Sequence, residues 1–344
     1  MLSYKQSYKK VAVKLMSTKN HVLKMLENNR GQYISGAHMA EELGISRNAI
    51  WKTIKRLEKA GYKIKATKNK GYCLLEDNDI LSVVGMLPFL SDKQASKKIH
   101  IHASLESTNN TAKQLAISGA AHGTVVLAEC QTAGKGRYGR SFFSPPGQGI
   151  YMSFVLRPTE RHWTDAPTLL TLYAAVSVCR AIEELTKKEP KIKWVNDIFL
   201  GGKKICGILT EAVTDFESGS VHWAVVGIGI NFKPAKTGLP EELKKIVGSV
   251  FEEDKANITR NELASKVINH MIDFEAHIGK KKTLNEYKKR LMMLGEKITV
   301  VGPKETYEAI ARDIDEAGRL IVEKENGEIV PLFSGEIKIG AIEK

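Results

Sequence analysis

The 344 residues carry 52 lysines and arginines against 39 aspartates and glutamates, a formal charge of +13, with 42% hydrophobic residues and ten prolines. That length points to two or three domains with room for a buried core, and the composition excludes disorder, collagen-like repeats and low complexity. No run approaches the roughly 18–20 apolar residues of a membrane span. The lysine-rich start Met1–Lys14 has no apolar h-region behind it, so the expected location is cytoplasmic with no membrane partner.

Cys73, Cys130, Cys179 and Cys206 lie far apart without a C-x-x-C pair, which predicts reduced thiols rather than a disulfide frame or a zinc site. The histidines include no H-E-x-x-H and no other ligand spacing, so no protein-held metal is expected. The positive excess suits a polyanionic partner or phosphates, and its location decides which.

Residues 1–16 read as a basic extension, and residues 17–78 as the first domain. Within it Tyr33-Ile34-Ser35-Gly36 leads into a helix over Ala37–Leu43, a turn at Gly44-Ile45-Ser46 and a second helix over Arg47–Ala60. Ser46 is a good N-cap. Ile50, Ile54 and Leu57 recur at helical spacing, leaving Arg47, Asn48, Lys52, Lys55 and Arg56 on other faces. Lys63–Leu74 then alternates and turns at Asn69-Lys70-Gly71, as the wing of a winged helix does. From Tyr33 to Leu74 there are nine Lys/Arg and three Glu, so this short segment holds +6 of the +13. A helix-turn-helix puts its second helix in the major groove, and such charge supplies the salt-dependent phosphate contacts. The DNA-binding candidates are Ser46, Arg47, Asn48, Lys52, Lys55, Lys68 and Lys70. A winged helix used for protein contacts, or a solvated basic face, is the alternative.

Residues 79–293 alternate strands and helices, with glycine motifs in the loops. After a strand at Thr124–Ala128 comes Glu129-Cys130-Gln131-Thr132-Ala133-Gly134-Lys135-Gly136-Arg137-Tyr138-Gly139-Arg140. Its G-x-G-x-x-G matches a dinucleotide fingerprint in form only. That motif must open a helix, and Ser144-Pro145-Pro146-Gly147 cannot continue one. Nor is it a Walker A loop, since Gly136 follows Lys135. What remains is a flexible loop whose glycines let backbone N–H groups approach an anion, with Lys135, Arg137 and Arg140 to neutralise it. Ser107-Thr108-Asn109 precedes a helix predicted to start near Thr111. The K-W-V-N-D run Lys193–Asp197 and the K-K-I-C-G-I-L run Lys203–Leu209 flank a Gly201-Gly202 turn, and G-I-G-I-N ends a strand at Asn231. Residues 294–344 contain five short β runs, over 297–301, 307–313, 320–323, 330–333 and 336–339, which predict a small barrel or sandwich.

Taken together, Ser107-Thr108-Asn109, the G-K-G-R-Y-G-R loop, K-W-V-N-D, K-K-I-C-G-I-L and G-I-G-I-N resemble, in order and spacing, the biotin–protein ligases. The whole chain after about Met16 resembles their bifunctional bacterial form, which also represses the biotin operon. The resemblance implies an α+β multidomain protein. It would have an N-terminal winged helix-turn-helix, a central mixed α/β ligase domain related to class II synthetase-like folds, and a C-terminal SH3-like β-barrel. The family commonly has proline where this chain has Val195; valine is a strong strand former, so only a modest geometric change is expected.

The activity implied is formation of biotinyl-5′-AMP from biotin and ATP, then transfer of biotin to a lysine of a carboxylase carrier domain. By position, catalysis falls to Lys135, Arg137 and Lys204. Biotin binding is assigned to Ser107, Thr108, Asn109, Gln131, Lys135, Gly136, Arg137 and Lys204. Nucleotide binding is assigned to Arg140, Phe142, Asn196, Asp197 and Asn231. Mg²⁺ is expected to arrive with ATP rather than in a protein cage. Implied partners are the biotin carboxyl carrier protein of acetyl-CoA carboxylase, a pyruvate carboxylase, operator DNA, and a second copy of the chain when the adenylate is bound. Two other readings stay open: a lipoate–protein ligase-like enzyme, and a repressor that senses a ligand without catalysis.

Overall fold

The computed structural model describes residues 17–157, 168–214, 221–235, 239–253, 256–272, 280–302 and 305–340, and the expected basic extension 1–16 lies outside them. The chain divides into two compact units, residues 1–88 and 89–344.

Three helices and a hairpin build the first unit. Helix α1 (Thr18–Asn28), α2 (Gly36–Leu43) and α3 (Arg47–Lys59) each start on a serine, Ser17, Ser35 and Ser46, whose hydroxyl accepts a first-turn N–H. Gly44 ends α2 in the left-handed region at φ 64°, the conformation glycine adopts without a Cβ penalty. Val22, Leu23, Leu26, Met39, Ile50, Ile54 and Leu57 meet in one core. Strands β1 (Ile64–Thr67) and β2 (Gly71–Leu74) pair antiparallel, Ile64 opposite Leu74 and Thr67 opposite Gly71. The expected winged helix-turn-helix is therefore present. A short helix α4 (Val83–Met86) continues the unit beyond residue 78 and buries Val84 in the same core.

The second unit is organised on a seven-stranded sheet. In chain order its strands are β3 (Ile99–His102), β4 (Thr124–Ala128), β5 (Gly149–Leu156), β6 (Lys191–Lys193), β7 (Asp197–Leu200), β8 (Lys203–Thr214) and β9 (Val221–Asn231). In space the order is β3-β4-β5-β9-β8-β7-β6. Only β3 and β4 are parallel, joined through helix α5 (Thr108–Ile117); the remaining pairs are antiparallel. Parallel neighbours need such a crossover, and α5 buries Ala112 and Ala116 on Val126, Val155 and Val225 of the sheet.

Helix α6 (Thr168–Thr186) is apolar almost all round and is buried from Leu169 to Cys179, as an internal helix must be. A short α7 (Glu241–Lys244) follows, and α8 (Arg260–Ile272) and α9 (Lys281–Arg290) flank α6. The Tyr173 hydroxyl donates to the His270 carbonyl at 2.6 Å, and Arg180 pairs with Glu286 at 2.5 Å. The last five strands, β10 (Lys297–Val301), β11 (Thr306–Ile314), β12 (Leu320–Lys324), β13 (Ile329–Leu332) and β14 (Glu336–Ile339), form an antiparallel sheet in the order β13-β12-β11-β10-β14. This matches the predicted β runs to within a residue or two. All four cysteines are free thiols, three of them buried. No helix among the described residues is long and apolar enough to cross a membrane.

Candidate active site

A cleft of about 1350 Å³ opens on the sheet of the second unit, and its wall contains every ligase-type residue proposed from sequence. One end is neutral. Helix α5 starts at Thr108, three residues before the expected position, because its first N–H is capped from a distance. Gln131 Oε1 accepts from the Thr108 N–H at 2.8 Å and from its hydroxyl at 3.1 Å, while the Ser107 side chain makes no cap bond. The ladder continues: Ser153 Oγ donates to Thr108 Oγ1 at 2.8 Å and lies 2.6 Å from Asn109 Oδ1, and Gln131 Nε2 donates to Ser144 Oγ at 2.8 Å. Asn109 is buried as well. Its amide nitrogen donates to Glu211 at 2.8 Å and to the Leu209 carbonyl at 3.3 Å, so its polar atoms are spent on holding α5 to β5 and β8. A Cβ at Gly227 would lie 2.0 Å from Asn109 Oδ1, so glycine there makes room for the amide.

The other end is cationic. Ten lysines and arginines and four carboxylates line the cleft among the described residues. The glycine loop is a loop in fact, with a single tight turn over Arg137–Gly139 and no helix after it, so the dinucleotide fingerprint is a coincidence of spacing. Gly136 N–H donates to the Arg140 carbonyl at 2.7 Å and Phe142 N–H to the Gly134 carbonyl at 2.8 Å. A Cβ on Gly134 would stand 2.4 Å from that same Phe142 carbonyl oxygen. Lys135 Nζ donates to Asn110 Oδ1 at 3.0 Å. The Arg137 guanidinium donates to Asn196 Oδ1 at 3.0 Å and to the Tyr138 hydroxyl at 3.1 Å, with the Tyr138 ring 5.0 Å away.

Arg140 reaches the last sheet instead, pairing with Glu336 at 2.6 Å, and its hydrogen bond holds the Glu336 carboxyl below the usual range. Phe142 lies on a floor made by two facing glycines. Gly207 and Gly229 are register partners of β8 and β9, and a Cβ on Gly229 would fall 2.6 Å from the ring.

Lys204 follows the Gly201-Gly202 turn and pairs with Asp197 at 2.7 Å. Its backbone is clamped: its N–H donates to the Ile246 carbonyl at 2.8 Å and its carbonyl accepts from Gly248 at 2.9 Å. The other Asp197 oxygen, Oδ1, is buried without a hydrogen-bond partner. The K-W-V-N-D run is fixed from several sides. Trp194 Nε1 donates to the Gly318 carbonyl at 3.1 Å, the Tyr287 hydroxyl to the Val195 carbonyl at 3.1 Å, and Asn196 Nδ2 to the Ile208 carbonyl at 3.0 Å. The Trp194–Val195 peptide is cis. Asn231 ends β9 on the same wall.

Nothing in the sequence marks Ser153 and Glu211, which hold Asn109 from β5 and β8, or the cleft lysines 188, 233 and 245. Lys193 and Lys203 fall inside the K-W-V-N-D and K-K-I-C-G-I-L runs, and the fold brings both to the cleft wall.

The DNA-binding candidates lie on the first unit. Arg47, Asn48, Lys52 and Lys55 are exposed on α3, and Lys68 and Lys70 are exposed at the turn between β1 and β2. Ser46 is occupied as the N-cap, its hydroxyl accepting from Ala49 N–H at 3.1 Å. Tyr33 braces the wing, accepting from Thr67 Oγ1 at 2.9 Å with Lys70 Nζ 5.9 Å from its ring.

Comparison with known proteins bears on both units. Residues 18–73 match an HTH domain, residues 101–231 the biotin/lipoate A/B protein ligase family, and residues 293–340 the biotin protein ligase C terminal domain. The chain is 34% identical over 331 residues to the bifunctional ligase/repressor BirA of Bacillus subtilis, covering 93% of this chain and 98% of that one. It is 29% identical to the protein of the same name from Escherichia coli, over 91% and 95% of the two chains. The biotin protein ligase of Aquifex aeolicus, solved with biotin and ATP, superposes with a TM-score of 0.59 at 28% identity, over 70% of this chain and 97% of that one. On this match across nearly its whole length, together with the cleft and the winged helix, the chain belongs to the family of bifunctional biotin ligase/repressors.

Proposed function

We propose that this protein joins biotin to ATP, transfers the biotinyl group to a carrier-domain lysine of a biotin-dependent carboxylase, and binds operator DNA in its adenylate-loaded form. The observation that carries the ligase reading is one cleft holding a neutral hydrogen-bonding end, Ser107, Thr108 and Gln131, directly beside the cations Lys135, Arg137 and Lys204. A ureido ring needs uncharged donors and acceptors. A carboxylate approaching a polyphosphate needs neutralisation and alignment. In the first step a biotin carboxylate oxygen bonds to the α-phosphorus and pyrophosphate leaves. Lys135, Arg137 and Lys204 offset the charge that gathers there, and Arg140, Phe142, Asn196, Asp197 and Asn231 hold the nucleotide. In the second step a lysine amine bonds to the acyl carbon, its proton is lost, and AMP leaves.

No group of three or more His, Cys, Asp or Glu that could hold a metal exists among the described residues, while Asp197 Oδ1 offers one oxygen without a partner. That donor set fits Mg²⁺ delivered on the triphosphate and touched by a single carboxylate, where the ion would neutralise phosphate charge.

Biotin transfer to a carboxylase carrier domain, with pyrophosphate exchange measured separately for biotin and lipoate, tests the ligase reading. Exchange with lipoate alone would overturn it. Arg137→Ala is expected to loosen the adenylate by about 10- to 100-fold, the worth of one hydrogen bond to a charged group. Trapping of released adenylate by an added amine measures this, and wild-type retention in the variant would remove Arg137 from the site.

The loop from Gln131 to Ser144 orders over the adenylate in this proposal, and the ordered surface joins two copies, so that paired winged helices grip a palindromic site. Operator affinity measured by anisotropy rises when biotin and ATP are both present. Affinity indifferent to them would end the corepressor reading and leave the ligase reading standing.

A further inference from the structure

Among the described residues Trp51 is the one exposed tryptophan, with 49% of its surface open, whereas Trp194 and Trp223 are buried. A single exposed apolar side chain needs no explanation by itself. Its position does. Trp51 lies one turn from Arg47 and one turn from Lys55 on α3, with Asn48 and Lys52 on the adjoining row, all exposed. Ile50, Ile54 and Leu57 fix the opposite face at 0% exposure, so this row faces outward by the packing of the helix and not by chance rotation.

The surroundings select the partner. Charged groups are depleted from the cores of protein–protein contacts, and this indole is flanked by cations along both rows. A polyanion complements that pattern. An indole offers a flat apolar face and one N–H donor but no acceptor. Of the groups on base edges in the major groove, the thymine methyl is the apolar one.

We infer that Trp51 reads thymine through its C5-methyl group in the major groove, as a specificity residue of the recognition helix, while the neighbouring cations hold phosphates. This rests on the DNA-binding reading above.

The test uses the full chain with biotin and ATP and a pool of random duplexes, selected by the wild type and by Trp51→Ala. The wild type is expected to enrich a site with at least one thymine whose replacement by deoxyuridine, which removes only the methyl, weakens binding several-fold. Trp51→Ala is expected to bind that site about 10- to 100-fold more weakly and to lose the response to deoxyuridine. Its dependence on salt stays as in the wild type, because no cation has gone, whereas Lys52→Ala makes the dependence shallower by about one unit of slope. Unchanged melting and adenylate formation show that the variant is folded.

Wild-type affinity in Trp51→Ala, or a retained response to deoxyuridine, overturns the inference with DNA binding intact. If Trp51→Ala does not fold, the wild type decides alone: binding indifferent to deoxyuridine at every selected thymine overturns it. A wild type that enriches no duplex overturns the DNA-binding reading and this inference with it.

Discussion

Lys204→Gln is expected to slow adenylate formation by about 10²–10³-fold, the usual cost of removing one preorganised charge stabiliser, while biotin affinity changes far less. The reason lies in how the residue is held. Hydrogen bonds from both sides clamp its backbone between Ile246 and Gly248, and Asp197 aims its ammonium from 2.7 Å. Glutamine keeps the length of the side chain and its stem but not the charge, so the backbone frame and the neutral end of the cleft stay in place. Only a group whose effect grows as charge moves onto the phosphates loses rate without losing ground-state binding. Pyrophosphate exchange at saturating ATP, set against biotin affinity from calorimetry, separates the two. Exchange within fivefold of wild type would take Lys204 out of the reacting centre.

Arg260→Met should cost about 3–5 kcal/mol of stability, the range for breaking a buried ion pair from one side. Arg260 is 1% exposed, pairs with Glu129 at 2.8 Å and donates to the Gly149 carbonyl at 3.1 Å. Methionine fills a similar volume but removes the cation from beside a carboxylate that is only 16% exposed. In the same neighbourhood burial pushes the Tyr151 phenol up, against the pull of Arg260. Glu129 stands two residues before Gln131, so the damage reaches the hydrogen-bond ladder at the neutral end of the cleft. Urea unfolding followed on the second unit measures the loss, and a loss below about 1 kcal/mol would mean that the pair is dispensable.

Where signals are local, sequence was a good guide to structure. Ser46 as cap, the apolar row Ile50, Ile54 and Leu57, the hairpin turn at Gly201-Gly202 and the five C-terminal strands each depend on residues a few positions apart. Helix α5 starts earlier than the Thr111 expected from sequence because its cap, Gln131, is 23 residues away. The full set of partners of Asn109 was invisible for the same reason, since Ser153, Leu209 and Glu211 come from two strands that only the sheet brings together. The loop cations were legible as a cluster, but not their partners: Arg140 finds Glu336 across 196 residues. G-I-G-I-N signalled a close approach of some kind. That Gly227 yields to Asn109 and Gly229 to Phe142 needs the register.

The Phe142 floor links two distant positions in evolution. With the ring resting where a Gly229 side chain would begin, position 229 is not free to drift while the aromatic stays. A lineage that acquires even alanine at 229 has to trade the aromatic at 142 for something smaller, in the same step or beforehand. Homologues with any residue larger than glycine at 229 should therefore lack the aromatic at 142, whereas those that keep glycine at 229 are free to carry either.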